Sequence, residues 1–333
     1  MRVRLAPAAL ATEPMAADAS PEFLQLYHTD ADAVRQELAT GLSAAAPAIA
    51  PKYLYDALGA RLFEAITELP QYYPTRTEAA ILAQHLPAIA EAVGVGHTLV
   101  DLGAGNCRKA AALFAALQPR RYVALDISVQ FLQQAMRELQ REHPQLPMLG
   151  IGLDFSAALE LPAQVGPGKR LCFYPGSSIG NFSPPQALAL LRQLRRAAQG
   201  GGLLIGVDLL KPVALLEQAY DDELGVTAAF NRNLLLHVNH LLGTDFAVAQ
   251  WQHQAFFNAA QSRIEMHLRA VSALTVRWPG GQRTFAPGSA IHTENSYKYQ
   301  PEAFAVLLRQ AGFGAVQRWS DAQQWFALYW ARD

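Results

Sequence analysis

The feature that most constrains the fold is a short apolar segment that ends in two closely spaced glycines. Residues 98–102 read Thr-Leu-Val-Asp-Leu, a pattern that predicts a buried strand, and Gly103 and Gly105 follow directly. Because glycine has no Cβ, the backbone can turn sharply here and a ligand can approach it closely. The sequence from about Asn106 predicts a helix, whose electropositive N-terminus attracts anionic or polar groups. The segment therefore predicts a strand, a tight turn and a helix, with room for a ligand at the turn.

The spacing of the glycines distinguishes between two kinds of ligand site. A dinucleotide fingerprint requires a third glycine three residues after the second, but Arg108 stands there. Asp101, Gly103 and Gly105 together resemble the D-x-G-x-G motif with which class I methyltransferases bind S-adenosylmethionine. On this motif alone, a strand–turn–helix without a ligand stays open as the alternative.

Acidic residues at the ends of the next two predicted strands support a nucleoside site. The strand over residues 120–126 ends in Asp126, about 20 residues after the turn, where a βαβ unit places a carboxylate near ribose hydroxyls. The alternative role for Asp126 is the N-cap of a helix over Val129–Glu142, and both roles are compatible. The third strand ends in Asp154 and Phe155, which are placed to hydrogen-bond and cover an adenine ring, or to cap a loop and fill the core.

A polar, glycine-containing loop follows the fourth predicted strand, Arg170–Tyr174. In open α/β sheets, ligands bind at the carboxyl ends of the strands, so Gly176 and Asn181 are candidates for contact with a small polar substrate. The alternative for Asn181 is a capping role before the next helix. Ser183 is predicted to cap that helix, which covers Pro184–Ala198.

Strands and helices alternate from residue 98 to residue 208, which predicts a doubly wound parallel sheet of the Rossmann-like, class I methyltransferase type. A helix over 301–311 and two strands, Ala315–Ser320 and Trp325–Ala331, are expected to close this sheet. The intervening segment looks like an insertion that forms a second, α+β lobe with the N-terminal residues. The predicted division is a tail (1–21), a substrate-binding lobe (22–76 and 211–298) and a methyltransferase domain (77–210 and 299–333).

Three local predictions depend on less decisive patterns. Residues 22–48 read as helical, and Thr75 or Thr77 is expected to cap a helix over Glu78–Val93. Residues 262–278 read as one long strand, because apolar and polar residues alternate along it.

Composition excludes several function classes. The chain of 333 residues has a formal net charge of −1 and no run of basic residues, which argues against nucleic-acid and membrane-surface binding. Cys107 and Cys172 give neither a disulfide framework nor a metal spacing, so we expect a reduced, cytoplasmic setting. The pair His237 and His240 is typical of packed or surface histidines, and no metal is expected. A monomer is the default expectation.

Seven segments resemble the histidine Nα-methyltransferases of ergothioneine biosynthesis. They are PKYLYDALGARLFEAITELPQYYPTRTEAAIL (51–82), DLGAGNCRKAAALF (101–114), GSSIGNF (176–182), GVDLLK (206–211), AYDDELGVTAAFNRNLL (219–235), IEMHLRA (264–270) and IHTENSYKY (291–299). The resemblance implies S-adenosyl-L-methionine as cofactor, with S-adenosyl-L-homocysteine as product, and L-histidine as substrate. It also implies three rounds of methylation, through the mono- and dimethyl intermediates, to the betaine hercynine.

The resemblance assigns roles to residues at matching positions. Those implied for the cofactor are Tyr55, Gly103, Lys109, Asp126, Asp154 and Phe155. Those implied for the substrate are Phe63, Tyr72, Gly176, Asn181, Tyr220, Met266, Glu294 and Ser296. Tyr55 and Asn181 are the candidate catalytic residues, because they are implied to lie near the methyl group and the amine.

The chemistry of imidazole is consistent with this set. Imidazole has two ring nitrogens, so a carboxylate such as Glu294 and a hydroxyl of Ser296 or Tyr72 can satisfy both. On its own motif, a surface or domain-bridging carboxylate stays open as the alternative role of Glu294. Two other functions stay open: a methyltransferase for another free amino acid or biogenic amine, and a cofactor-binding protein without catalytic activity.

Overall fold

The structure is a computed structural model that describes residues 20–26, 30–155 and 158–333. Most of the predicted tail, residues 1–19, lies outside the described residues. Thirteen strands are present in the described ranges: β1 (Glu22–Gln25), β2 (Thr98–Leu102), β3 (Arg121–Asp126), β4 (Met148–Gly152), β5 (Arg170–Tyr174), β6 (Gly202–Asp208), β7 (Trp251–Asn258), β8 (Arg263–Ala270), β9 (Leu274–Trp278), β10 (Gly281–Phe285), β11 (Ala290–Tyr297), β12 (Ala315–Ser320) and β13 (Phe326–Arg332).

The same described ranges contain ten α-helices: α1 (Ala31–Ser43), α2 (Ala57–Glu68), α3 (Tyr73–Val93), α4 (Arg108–Ala111), α5 (Phe114–Leu117), α6 (Val129–Glu142), α7 (Pro184–Ala197), α8 (Val213–Gln218), α9 (Val226–Leu242) and α10 (Pro301–Gln310). None of the helices described has both the length and the apolar character needed to cross a membrane.

An eight-stranded central sheet organises the fold, in the order β1-β4-β3-β2-β5-β6-β13-β12. Strands β1 to β6 run parallel, whereas β13 is antiparallel to both of its neighbours. The strand order reverses between β2 and β5, so the turns after these strands face a common crevice where ligands of such sheets bind. The predicted doubly wound, class I methyltransferase sheet is confirmed.

Several elements have the predicted bounds. The strands β2, β5 and β12 and the helix α6 begin and end at the predicted residues. Helix α7 follows Ser183, whose backbone N–H donates to the side chain of Gln186 in a capping box. These elements combine a clear apolar period with a local start signal, so little tertiary information is needed to locate them.

The helical prediction for residues 22–48 was wrong at its beginning. Residues Glu22–Gln25 form β1, which adds a parallel strand beside β4, and the helix begins only at Ala31. Room for β1 comes partly from Gly150, because a Cβ there would lie 2.2 Å from Cε1 of Phe23. Pairing with a distant strand thus accompanies the extended conformation, and residues 22–25 belong to the central sheet and not to the predicted lobe.

Three other boundaries differ from the predictions. Helix α3 begins at Tyr73, with Pro74 in its first turn, so neither Thr75 nor Thr77 caps it. The helix after the glycine turn begins at Arg108 and lasts a single turn. The strand predicted over 262–278 is two strands, β8 and β9, which pair with different partners.

The N-terminal segment and the insertion share one apolar core. Helices α1, α2 and α9 pack with the three-stranded sheet β11-β8-β7, and the buried cluster draws its residues from 34–73 and 216–291. The other two clusters lie on the two faces of the central sheet. Packing therefore groups the N-terminal helices with the insertion, although the chain separates them.

A buried glutamate of α3 connects the central sheet to the loop after β5. Glu78 is fully buried, and its carboxylate accepts hydrogen bonds from Lys109 Nζ (2.6 Å) and from the backbone N–H of Gly176 (2.9 Å). Its position depends on Gly206 in β6, because a Cβ on Gly206 would lie 2.3 Å from Glu78 Oε1. The glycine therefore leaves the space that the glutamate needs.

Replacement of Gly206 by alanine should lower the free energy of unfolding by about 1–3 kcal/mol, because the added methyl group and the Glu78 carboxylate cannot share this space. Chemical denaturation of the variant and the parent protein measures the difference. Gly314→Ala is the matched control, since the nearest atom to a Cβ there is 3.4 Å away. Equal losses in the two variants would contradict the argument.

Candidate active site

One cavity collects all of the residues that the resemblance implies for substrate, together with Tyr55. Its lining includes Tyr55, Phe63, Tyr72, Gly176, Asn181, Tyr220, Met266, Glu294 and Ser296. These residues come from the N-terminal segment, the loop after β5 and the insertion, so the cavity lies where the lobe meets the carboxyl end of the sheet.

An extra residue in β11 directs Glu294 into this cavity. The pairing of β11 with β8 shifts register between His292 and Glu294, and Thr293 is the extra residue, its hydroxyl donating to the Met266 carbonyl (3.0 Å). Paired residues of adjacent strands lie on one face, so the bulge moves Glu294 to the face of its partner Met266. Simple alternation would place Glu294 on the face of His292, away from the cavity.

The carboxylate of Glu294 is unusual for a buried group. The residue is only 8% exposed, and none of the described residues hydrogen-bonds to its side chain. Burial raises the pKa of Glu294 to about 7, and the nearby Lys298 ammonium opposes that rise. A buried carboxylate without a hydrogen-bond donor is costly, so the group is arranged for a donor that arrives with a ligand.

Five aromatic rings form a continuous wall of the cavity. Tyr55 contacts Phe63 and Phe230 edge-on, with 5.5 Å between ring centroids in each pair. Tyr72 continues the wall, at 6.2 Å from both Phe63 and Tyr220. Such faces attract cationic methylammonium groups. Burial raises the pKa of Tyr55 well above its usual value, so its hydroxyl stays protonated at neutral pH and can donate a hydrogen bond.

Positioning groups that the sequence analysis missed surround Tyr220. His253 lies in β7, with its Nε2 2.8 Å from the Tyr220 carbonyl oxygen and its Nδ1 2.9 Å from Asn231 Nδ2. Burial lowers the pKa of His253, so the ring is neutral, with Nε2 donating and Nδ1 accepting. The sequence does not predict these positions, because a histidine and an asparagine 22 residues apart show no pattern that indicates a contact.

The missed lining residues are mostly neighbours of the predicted ones. They are Ile66, Ser177, Ser178, Ala219, Thr227 and Phe230. Thr227 and Phe230 lie three residues apart in the first turns of α9 and therefore share a face, a spacing visible in the sequence.

The residues predicted for the cofactor lie at the carboxyl ends of β2, β3 and β4. Gly103 and Gly105 have positive φ angles, and a Cβ on either would meet no atom within 4 Å, so the turn faces open space. Asp126 accepts hydrogen bonds from the backbone N–H groups of Gly105 (2.9 Å) and Ser128 (2.8 Å). The N-cap residue of α6 is Ser128, so the alternative role of Asp126 as N-cap was wrong.

The remaining predicted cofactor residues lie around the same crevice. Asp154 is 3.7 Å from Lys52 Nζ, and Phe155 contacts Tyr174 edge-on. Lys109 forms the ion pair with Glu78 already described. Asp101, the first residue of the D-x-G-x-G motif, is buried and accepts a hydrogen bond from the Tyr122 hydroxyl (2.8 Å). Its role is therefore to support the end of β2 before the glycine turn. The donor set and open turn fit a nucleoside with a polar amino-acid tail.

The histidines have different surroundings. His237 Nδ1 lies 2.8 Å from the Tyr53 carbonyl oxygen, an ordinary packing role for one of the pair singled out in the sequence. On the face of β8 and β11 that points away from the cavity, Glu265, His267 and His292 come together. Arg263 and Asn258 already donate hydrogen bonds to Glu265.

The strand order, the glycine turn and the acidic strand ends define this protein as a class I methyltransferase that uses S-adenosylmethionine. The sequence profile of the family described as "Histidine-specific methyltransferase, SAM-dependent" matches residues 34–333. The chain belongs to this family.

Curated relatives agree with this assignment. The chain is 39% identical over 305 residues to the histidine N-alpha-methyltransferase of Mycolicibacterium smegmatis, covering 90% of this chain and 94% of that protein. It is also 39% identical over 304 residues to the Mycobacterium tuberculosis protein of that name, covering 89% and 94%. Ergothioneine biosynthesis protein 1 of Schizosaccharomyces pombe is 28% identical over 290 residues, covering 83% of this chain and 38% of that protein.

The raised pKa of Glu294 predicts a pH-dependent cost in stability. In the ligand-free fold the carboxyl group ionises near pH 7 instead of 4.5, so between these values the folded state holds a proton that the unfolded state has lost. Stability from this group therefore falls as the pH rises through that interval. Glu294→Gln should raise the free energy of unfolding by roughly 1–3 kcal/mol at pH 8 and much less at pH 4.5.

Chemical denaturation at the two pH values measures this effect. Glu302→Gln is the matched control, because the side chain of Glu302 is 81% exposed and its ion pair with Arg318 lies at the surface. The prediction fails if the gain from Glu294→Gln is equal at both pH values.

Proposed function

We propose that this protein transfers methyl groups from S-adenosyl-L-methionine to the α-amino group of L-histidine. The proposal continues the reaction to the trimethylated betaine hercynine, through the mono- and dimethylated intermediates, in ergothioneine biosynthesis, with the chain acting as a monomer. The proposal rests mainly on the buried Glu294 carboxylate, which lacks a hydrogen-bond donor among the described residues. The cavity around it also contains amide and hydroxyl groups. An imidazole N–H is such a donor.

The two ends of the cavity suit the two ends of histidine. We assign Tyr72, Glu294 and Ser296 to the imidazole, because their polar groups line the cavity and Glu294 pairs with Met266 across β11 and β8. Asn181 and Tyr220 take the α-carboxylate and amine, since an amide offers both a donor and an acceptor to a zwitterion. Phe63, Gly176 and Met266 complete the wall.

The glycine loop that carries Asn181 approaches β11 closely. A Cβ on Gly180 would lie 2.9 Å from the carbonyl oxygen of Tyr297. This contact brings the amide of Asn181 beside the strand that carries Glu294 and Ser296. The amino-acid and imidazole subsites are thereby held at a fixed separation, which supports selection for a side chain of one length.

The crevice above the glycine turn is the proposed position of the cofactor. Asp126 would hold the ribose, and Gly103 would let the backbone approach the cofactor closely. Asp154 and Phe155 would hold the adenine. Lys109 would hold the amino-acid tail, and Tyr55 would lie close to the methyl group. The cofactor, when bound, supplies a methyl group on an electrophilic sulfonium. The carbonyl of Tyr55 accepts from the Ser128 hydroxyl (2.8 Å), which ties the lobe to the crevice.

The contribution of the protein to the reaction is alignment and exclusion of water. The amine must be neutral to attack, so the α-ammonium group of the substrate must first lose a proton to solvent. Tyr55 is a poor base, because burial keeps its hydroxyl protonated. Its role in the proposal is to orient the amine. The rings of Tyr55 and Phe63 favour each cationic, methylated product head by cation–π attraction.

Mass spectrometry of the products from each of the twenty amino acids, incubated separately with the purified protein and S-adenosylmethionine, tests the proposal. Histidine alone should gain methyl groups, up to three, on its α-nitrogen. Glu294→Leu should abolish methylation of histidine while S-adenosylhomocysteine still binds, because only the imidazole partner is lost. The exposed Glu302→Gln should retain activity. Methylation of another amino acid or an amine, and not histidine, would contradict the substrate assignment.

Asp126→Asn tests the cofactor assignment. The change leaves the size of the side chain intact but removes a charged acceptor, so the affinity for S-adenosylhomocysteine should fall about 10–100-fold by calorimetry. Glu138→Gln on helix α6 is the control, because Glu138 contacts Gln134 at the surface. Equal affinities of the Asp126 and Glu138 variants would rule out the ribose role.

A further inference from the structure

A fully covered lysine lies directly behind the two substrate-facing hydroxyls. Lys298 Nζ is 2.7 Å from Ser296 Oγ, 3.0 Å from the Tyr220 hydroxyl and 2.7 Å from Asp208 Oδ2. An ammonium group has three N–H donors and no acceptor, so these three contacts use all of its donors. The lysine therefore has no donor left for a substrate and acts only through its neighbours.

The charge of this lysine is held by Asp208. Although burial alone would raise the pKa of Asp208, Lys298 and Lys211 hold it below its usual value, so the carboxylate is ionised. Asp208 is held in turn by Tyr73 (2.7 Å) and by its own backbone bond to the Ser177 hydroxyl. Lys298 Nζ and this ionised carboxylate, 2.7 Å apart, form a buried ion pair.

Tyr220 and Ser296 have few hydroxyl protons available for hydrogen bonds to a substrate. Each hydroxyl oxygen accepts from Lys298, and the two oxygens are 2.7 Å apart, so one hydroxyl donates to the other. Each hydroxyl has a single proton. Only one of the two protons is therefore left to point into the cavity, and the two ends of a bound substrate compete for it.

The substrate carboxylate wins this competition. A carboxylate can only accept, and hydrogen bonds to a charged acceptor are roughly twice as strong as neutral ones. Tyr220, at the amino-acid end, then keeps its proton for the carboxylate and accepts one from Ser296. Ser296 is left with one free lone pair and no free proton, so it can only accept from the imidazole.

Building on the proposed function, we propose that Lys298 is a positioning residue that makes the cavity select histidine with both ring nitrogens protonated. Glu294 and Ser296 both act as acceptors, so each ring nitrogen must supply an N–H. Tyr72 does not oppose this state, because its hydroxyl can accept as well as donate. The titratable and charged groups that face the ring or its contacts are Glu294, Lys298, Asp208, Lys211, Tyr55, Tyr72 and Tyr220.

Proton uptake on binding tests the proposal directly. Trimethylated histidine is the probe, because its nitrogen head carries no titratable proton, and it is titrated into the protein saturated with S-adenosylhomocysteine at pH 8. Calorimetry in buffers of different ionisation enthalpy counts the protons exchanged. The free imidazole, with a pKa near 6.5, is neutral at this pH, so binding should take up about one proton. Uptake below about 0.2 proton would overturn the proposal.

Variants distinguish the positioning role from a general structural one. Tyr220→Phe changes the amino-acid end, yet it should abolish proton uptake at the imidazole end, because Ser296 is freed to donate to the ring. Lys298→Met should do the same, with retained S-adenosylhomocysteine binding as evidence of folding. Tyr299→Phe is the matched control and should keep the uptake, because the Tyr299 hydroxyl has no hydrogen-bond partner among the described residues.

The outcomes separate the two proposals. Methylation of histidine by the parent protein without proton uptake would overturn the role of Lys298 and leave the proposed function standing. Uptake that persists in Tyr220→Phe would also overturn it, because the hydroxyl pair would then not set the proton count. Absence of histidine methylation in the parent protein would overturn the proposed function and this inference together.

Discussion

The buried carboxylate of Asp208 is the interaction on which both halves of the molecule depend. It ends β6 of the central sheet, and it pairs with Lys211 (2.5 Å) at the start of the insertion and with Lys298 (2.7 Å) at the end of it. Tyr73 at the start of α3 contacts the same carboxylate. The three segments that connect the sheet to the lobe therefore all contact the carboxylate of Asp208. Breaking such a buried pair leaves an uncompensated charge, which costs several kcal/mol, about 3–5 in typical proteins.

This cluster also explains how the cavity combines polar and aromatic groups. Asp208 and Lys298 lie behind the hydroxyls of Tyr220 and Ser296, and the contacting rings of Tyr55 and Phe63 line the same cavity. The fold therefore offers fixed hydrogen-bonding groups together with aromatic faces that tolerate a growing methylated head. The buried carboxylate of Glu294 lowers the stability of the fold, because a hydrogen-bond donor for it comes only with a ligand.

The parts of the fold that follow from sequence are those that local pattern determines. The strands β2 and β5 and helix α6 have their predicted bounds because apolar period and start signals coincide. Strand β1 was mispredicted because its partner in the sheet, β4, lies more than a hundred residues away in the chain. The residues around the cavity were named from a family resemblance, but the bulge at Thr293 and the role of Lys298 were not. Both depend on pairing between strands, which one sequence does not display.

The edge position of β1 has a consequence for the behaviour of the protein in concentrated solution. Without it, the apolar strand β4 would present an unpaired row of backbone groups, a template for association with other chains. The strand that covers this edge has four residues, follows Pro21, and carries Glu22 in an ion pair with Arg121. The opposite edge, β12, exposes Gln317 and Arg318. Both margins of the sheet are thus short or charged, which discourages edge-to-edge aggregation.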